Sequence, residues 1–205
     1  YNLGRTQLQE EGTWGDGPSI GGLGANLRLG YRYGKTPNDA ISADLMFTSG
    51  DDNGISDDRY SGVMTGNTWA TPGGLNVAHG GYLLFPHANV VNRYVAAVTD
   101  ISNMGFGLTG GTVNLSRDFI PYKLNGKVGM ATAISNVAPA RGGQFMGVEG
   151  NFKVGYTLGT LMEIELHGAY LWLGDFYDSP AVNGGEDIRP VDPYTALVVF
   201  KWLMF

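Results

Sequence analysis

Leu23-Gly-Ala25-Asn-Leu27-Arg-Leu29-Gly-Tyr31-Arg-Tyr33 alternates with period two. Its odd positions are apolar or aromatic, and its even positions are Gly24, Asn26, Arg28, Gly30 and Arg32. Successive side chains of a β-strand point to opposite faces, so this is a strand with one apolar and one polar side. The same alternation recurs along the chain. Ile41, Ala43, Leu45 and Phe47 stand against Ser42, Asp44 and Thr48, and Val113 and Leu115 against Thr112, Asn114 and Ser116. Leu124, Val128, Met130 and Ile134 stand against Lys123, Asn125, Lys127 and Ser135, and Phe152, Val154 and Tyr156 against Glu149, Asn151 and Lys153. Ile164, Leu166, Tyr170 and Trp172 stand against Glu163, Glu165 and His167. With a weaker strand near Tyr1–Gln9 and a last one at Thr195–Phe205, the reading is all-β, with about eight strands.

The connections alternate in length. Gly34–Asn38, Asp118–Pro121 and Thr157–Gly159 read as short turns, and Glu10–Gly21, Ser49–Phe106, Asn136–Gln144 and Gly174–Pro193 as long loops. Short turns at one end and long loops at the other are the pattern of a transmembrane antiparallel up-and-down barrel of the bacterial outer membrane. The C-terminal aromatic would then mark the periplasmic rim and put every long loop outside. Tyr31, Tyr33, Tyr122, Tyr156 and Trp202 would form one interfacial girdle, and Phe47, Tyr170, Trp172 and Tyr194 the other. The competing reading is a secreted β-sandwich with ordinary aromatic core residues.

Composition agrees with a barrel. The chain has 205 residues, of which 33 are glycine, 12% aromatic, 16% charged and none cysteine. No apolar run reaches the length of a membrane-spanning helix, but a barrel strand needs only about 9–11 residues with alternate ones apolar. No disulfide framework or thiolate metal site can form. A net charge of −6 argues against nucleic acid as a partner. The sequence opens at Tyr1 without a signal peptide, which reads as a processed leader or a C-terminal portion of a longer protein. One domain, 1–205, is expected, either a complete small barrel or the C-terminal half of a larger one.

The polar positions define the candidate site. Arg28, Arg32, Asp44, Lys123, Lys127, Glu149, Lys153, Glu163, Glu165 and His167 are expected to face the interior. They read either as a charged pore lining or as cross-strand ion pairs satisfying one another. A five-residue loop places Arg28 opposite Asp44, and a three-residue loop at Thr157–Gly159 would place Lys153 opposite Glu163 and Glu149 opposite His167. The last strand is apolar on both sides: Lys201 inward would put Val198, Phe200, Trp202 and Met204 towards lipid, whereas a lipid-facing Phe205 would require the opposite parity, and Lys201 inward is the preferred reading.

Ser49–Phe106 is far longer than an ordinary connection and reads as a functional segment, extracellular or inserted into the interior. It begins with an acidic run, where Asp51, Asn53 and Asp57 carry oxygen ligands at spacings seen in calcium loops. The closing glutamate of such a loop is absent. The run therefore reads as a calcium site or as a solvated acidic loop, and no other cofactor is expected. Later the segment turns apolar at Gly81-Tyr-Leu-Leu-Phe-Pro86 and Val90–Val98, as a constriction or a docking surface would.

No HExxH, GxSxG or phosphate-loop motif occurs, and the histidines are His79, His87 and His167. A non-enzymatic protein is expected.

The strand-to-acidic-loop passage Ala43-Asp-Leu-Met-Phe-Thr-Ser-Gly-Asp-Asp-Asn53, followed by Leu83-Leu-Phe-Pro86, resembles the alginate-export family of outer-membrane barrels. The resemblance covers residues 40–125 at motif level. It implies a larger barrel of about 18 strands whose basic interior passes an anionic polysaccharide, with Arg28, Arg32, Lys123 and Lys127 as the carried-over cations. The interspersed Asp44, Glu149, Glu163 and Glu165 depart from that basic pattern. The functional expectation is a porin-like channel for hydrophilic or anionic solutes, gated by 49–106. The alternative is an assembly barrel with a filled interior whose long loop binds a protein. Membrane lipid and lipopolysaccharide are the other expected partners.

Overall fold

A computed structural model of the chain describes residues 1–54, 56–63, 81–84, 102–159 and 161–202. Among them the protein is all-β, with no α-helix. Ten strands form two sheets. β1 (Asn2–Glu10), β2 (Thr13–Gly22) and the two-residue β5 (Arg59–Tyr60) make a small sheet in the order β1-β2-β5. The main sheet has seven strands in the order β10-β9-β8-β7-β6-β4-β3. These are β3 (Gly24–Arg32), β4 (Ala40–Thr48), β6 (Leu108–Ile120), β7 (Leu124–Ser135), β8 (Phe145–Gly159), β9 (Met162–Leu173) and β10 (Tyr194–Trp202). Every ladder in it is antiparallel, and neighbours in sequence are neighbours in space apart from the excursion through β5. β3 and β10 are its edges, and no ladder among the described residues joins them.

The turns between β3 and β4, β6 and β7, and β8 and β9 lie at one end of this sheet. The connections 49–107, 136–144 and 174–193 lie at the other. The alternation of short turns and long loops therefore holds, with the β6–β7 turn at Pro121–Lys123 rather than Asp118–Pro121, since β6 runs to Ile120, and with two larger corrections. First, Glu10–Gly21 is not a loop. β2 occupies it, hairpinned to β1 through Glu11 and Gly12, whose φ angles of 48° and 83° are those of a primed two-residue turn. The stretch hides its strand because its glycines and Pro18 break the alternation, and the ladder is irregular between Arg5 and Gln7, opposite that proline. Second, Thr157–Gly159 is not the β8–β9 turn. β8 runs through it, so Lys153 lies opposite His167 and Glu149 opposite Leu171. The expected pairs Lys153–Glu163 and Glu149–His167 do not form. Arg28 does lie opposite Asp44.

The two faces of the main sheet are opposite in character to those of a water-soluble sheet. One face is apolar and exposed. The row Tyr31–Ile41–Leu115–Val128–Phe152–Gly168–Ala196 crosses all seven strands without a charged or hydrogen-bonding head other than the tyrosine hydroxyl. Val128 is 57% exposed, Met130 62% and Trp172 54%. The other face is polar and buried, with Asp44, Thr112, Asn114, Glu149, Asn151, Glu165 and His167 all below 9% exposure. Lys201 shares this face, while Val198, Phe200 and Trp202 alternate to the apolar one. Phe205 lies outside the described residues.

The buried apolar cluster sits at the long-loop end of the polar face. Met46, Leu108, Ala131, Ala133, Met146 and Leu171 project from the strands there and meet Leu84 and Phe176 from the loops. At the opposite end lies an open cavity of 610 Å³, lined by Asn38 and Asp118 on one side and by Glu163, Phe200, Lys201 and Trp202 on the other. Residues from the β3–β4 turn and from β10, at opposite margins of the sheet, share one cavity. The sheet is therefore strongly curved, with its polar face concave.

Candidate functional site

The concave face brings most of the expected residues together. Arg28 donates through Nε to Asp44 Oδ1, a pair set by direct cross-strand opposition. Asp44 is buried and Arg28 half-exposed. Arg32 ends β3, opposite Ala40, and is exposed.

Glu165 is the hub of a second cluster. Its Oε1 accepts from Lys153 Nζ at 3.0 Å, and its Oε2 lies 2.7 Å from Lys201 Nζ and 3.1 Å from His167 Nε2. Lys201 also reaches Glu163 at 3.5 Å, and Asn125 Nδ2 donates to Glu163 at 3.4 Å. A buried carboxylate surrounded by three basic groups satisfies the demand that buried charge be paired.

Glu149 is fully buried and binds the long loop. Its Oε1 accepts from the backbone N–H of Tyr82 at 2.7 Å and from Asn151 Nδ2 at 2.9 Å. Its Oε2 accepts from the N–H groups of Leu83 at 2.8 Å and Leu84 at 2.7 Å. The Tyr82 hydroxyl lies 3.0 Å from His167 Nδ1, the two rings meet edge to face, and Lys127 Nζ stands 4.7 Å from the tyrosine ring centre. The Gly81–Leu84 segment therefore seats on the polar face between the Glu149 and Glu165 clusters.

Lys123 departs from the expected set. It lies in the β6–β7 turn, and its ammonium stands 5.7 Å from the ring centre of Tyr156, a residue of the apolar face. Tyr82 joins the candidate site although pattern reading did not include it. Its only sequence signal was the apolar stretch starting at Gly81.

The acidic run is folded on itself. Burial acts to raise the pKa of Asp51, but hydrogen bonds from the N–H and hydroxyl of Ser61 and from the N–H of Asn53 outweigh it and hold the carboxyl below its ordinary value. Asp57 accepts from Asn53 Nδ2 and from the N–H of Arg59. These carboxylates are used as turn acceptors, and among the described residues no group of three or more acidic or histidine side chains is placed to hold a metal ion. His79, His87 and Val90–Val98 lie outside the described residues.

No protein-family model matches the chain, and no curated protein matches it.

Proposed function

We propose that the curved sheet is part of the wall of a bacterial outer-membrane β-barrel, and that the barrel is a channel for hydrophilic solutes constricted by the 49–106 loop. One observation carries the reading: the sheet exposes its apolar face and buries its charged one. In water such an exposed apolar expanse would be an aggregation surface, and lipid is the solvent that suits it. Its height suits a bilayer. Along β7 the outward residues run from Leu124 to Ile134, about 34 Å at ~3.4 Å per residue. At a strand tilt of about 40° this is roughly 26 Å across the membrane, against an apolar band of about 25 Å in such barrels. Arg117, on the apolar face near the short-turn end, is long enough to reach a headgroup.

In an antiparallel meander of seven strands the first and last run in the same direction. Closing it through antiparallel pairs takes an odd number of further strands, which favours a barrel larger than this sheet alone. The alginate-export resemblance points the same way. It also suggests a polyanion as solute, but Arg28 is neutralised by Asp44, and Lys153 and Lys201 share Glu165. A mixed-charge lining supports hydrophilic solutes broadly, with an anionic polysaccharide as the narrower form of the proposal.

The second reading, an assembly barrel with a filled interior, draws support from the apolar cluster at the long-loop end. Planar-bilayer recording of the purified protein separates the two. The channel reading expects ohmic steps that grow when Leu75–Val98 is deleted. Absence of current in both forms would refute it.

A further inference from the structure

We infer that Glu149 is the catch of an autoinhibitory contact, holding Gly81–Leu84 over the polar face through backbone N–H groups alone. The inference rests on the channel reading for its consequence, but the contact itself does not. Three successive N–H groups converging on one anion form a nest, a geometry that needs a full negative charge and both carboxylate oxygens. On the strands Glu149 accepts from Asn151, and its direct cross-strand neighbours, Ala131 and Leu171, have apolar side chains, so the loop N–H groups are its main hydrogen-bond donors among the described residues. The dependence is mutual. With the segment seated, Tyr82 covers His167 and faces Lys127. With it lifted, a row of polar and charged groups running from Glu149 through His167 to Glu165 faces the concave space. The catch thus switches the same wall between a plugged and a charged, open surface.

The test exploits the absence of cysteine. A single cysteine at Leu83 in the full chain, reconstituted in vesicles, reports seating through its rate of reaction with a membrane-impermeant maleimide. Glu149→Gln is nearly isosteric, but its amide nitrogen is a donor and would confront backbone N–H donors. It should speed labelling at least tenfold, while a cysteine at exposed Ser56 labels equally in both backgrounds. Leu84→Pro keeps the strands intact and deletes one of the three donors, and should also speed labelling. Leu84→Ala loses apolar packing but keeps the N–H, and should do so less. Labelling within twofold of the parent in both Glu149→Gln and Leu84→Pro would overturn the catch. Faster labelling without any change in conductance would uphold the catch and count against the channel; a conducting protein with unchanged labelling would do the reverse.

Discussion

Replacing Glu165 by glutamine removes one negative charge from a position that three basic groups share. The contacts are not of equal worth. Lys153 and His167 are largely buried, at 26% and 5% side-chain exposure, whereas Lys201 is 51% exposed. A buried charge-assisted hydrogen bond contributes about 1.5–3 kcal/mol. An exposed ion pair contributes about 0.2–1 kcal/mol, and Lys201 keeps a second contact with Glu163. Glutamine retains one acceptor, so one of the buried contacts survives in weakened form. The expected cost is about 2–3 kcal/mol for Glu165→Gln, and about 3–5 kcal/mol for Glu165→Ala, which takes this acceptor from Lys153 and His167 altogether while Lys201 keeps only Glu163. Urea unfolding in lipid vesicles, followed by tryptophan fluorescence, measures it. A double-mutant cycle apportions it: coupling to Lys153→Met should be about 1–2 kcal/mol, and coupling to Lys201→Met below about 1 kcal/mol. A Glu165→Gln protein within about 0.5 kcal/mol of the parent would refute the claim that this carboxylate organises the polar face.

Two further outcomes follow from the same geometry. Val128→Lys puts an ammonium in the middle of the apolar face and should cost about 2–4 kcal/mol in vesicles, the range for a lipid-facing charge at mid-depth; urea titration showing a change below about 0.5 kcal/mol would mean that this face meets water. Asp51, whose folded pKa is lowered from 3.8, stabilises its turn fully above that unfolded value and loses the contribution as pH falls through the folded one. Protection of the Ser61 amide from hydrogen exchange should therefore hold at neutral pH and fall below about pH 4, and Asp51→Asn should abolish that dependence.

Much of the main sheet was legible because its two sides face different surroundings, and that writes a period of two into every strand. Register was legible only where the turn was. The loop between Tyr31 and Ile41 placed Arg28 against Asp44, whereas the tail of β8, Thr157-Leu158-Gly159, contains a glycine that reads as a turn and is a strand residue. β2 was hidden by its glycines and proline, since a strand in a small sheet with little buried surface need not alternate. The Glu149 contact could not be read from sequence at all. Its loop-side partners are backbone N–H groups, which every non-proline residue possesses and no side chain advertises. Lys201 was legible as inward because it is the sole charge in an otherwise apolar strand, but its sharing of Glu165 was not, being a diagonal contact that directly opposite pairing does not predict.

The central claim is that the exposed face of the sheet meets lipid. Spin labels placed singly along Leu124–Ser135 of the vesicle-reconstituted protein, scanned for collision with molecular oxygen and with a water-soluble nickel chelate, test it most directly. The account predicts that oxygen accessibility peaks at the even positions, Val128 and Met130 highest among them, with low nickel accessibility at those sites. Nickel accessibility peaking at Val128 and Met130 would place that face in water and contradict the account.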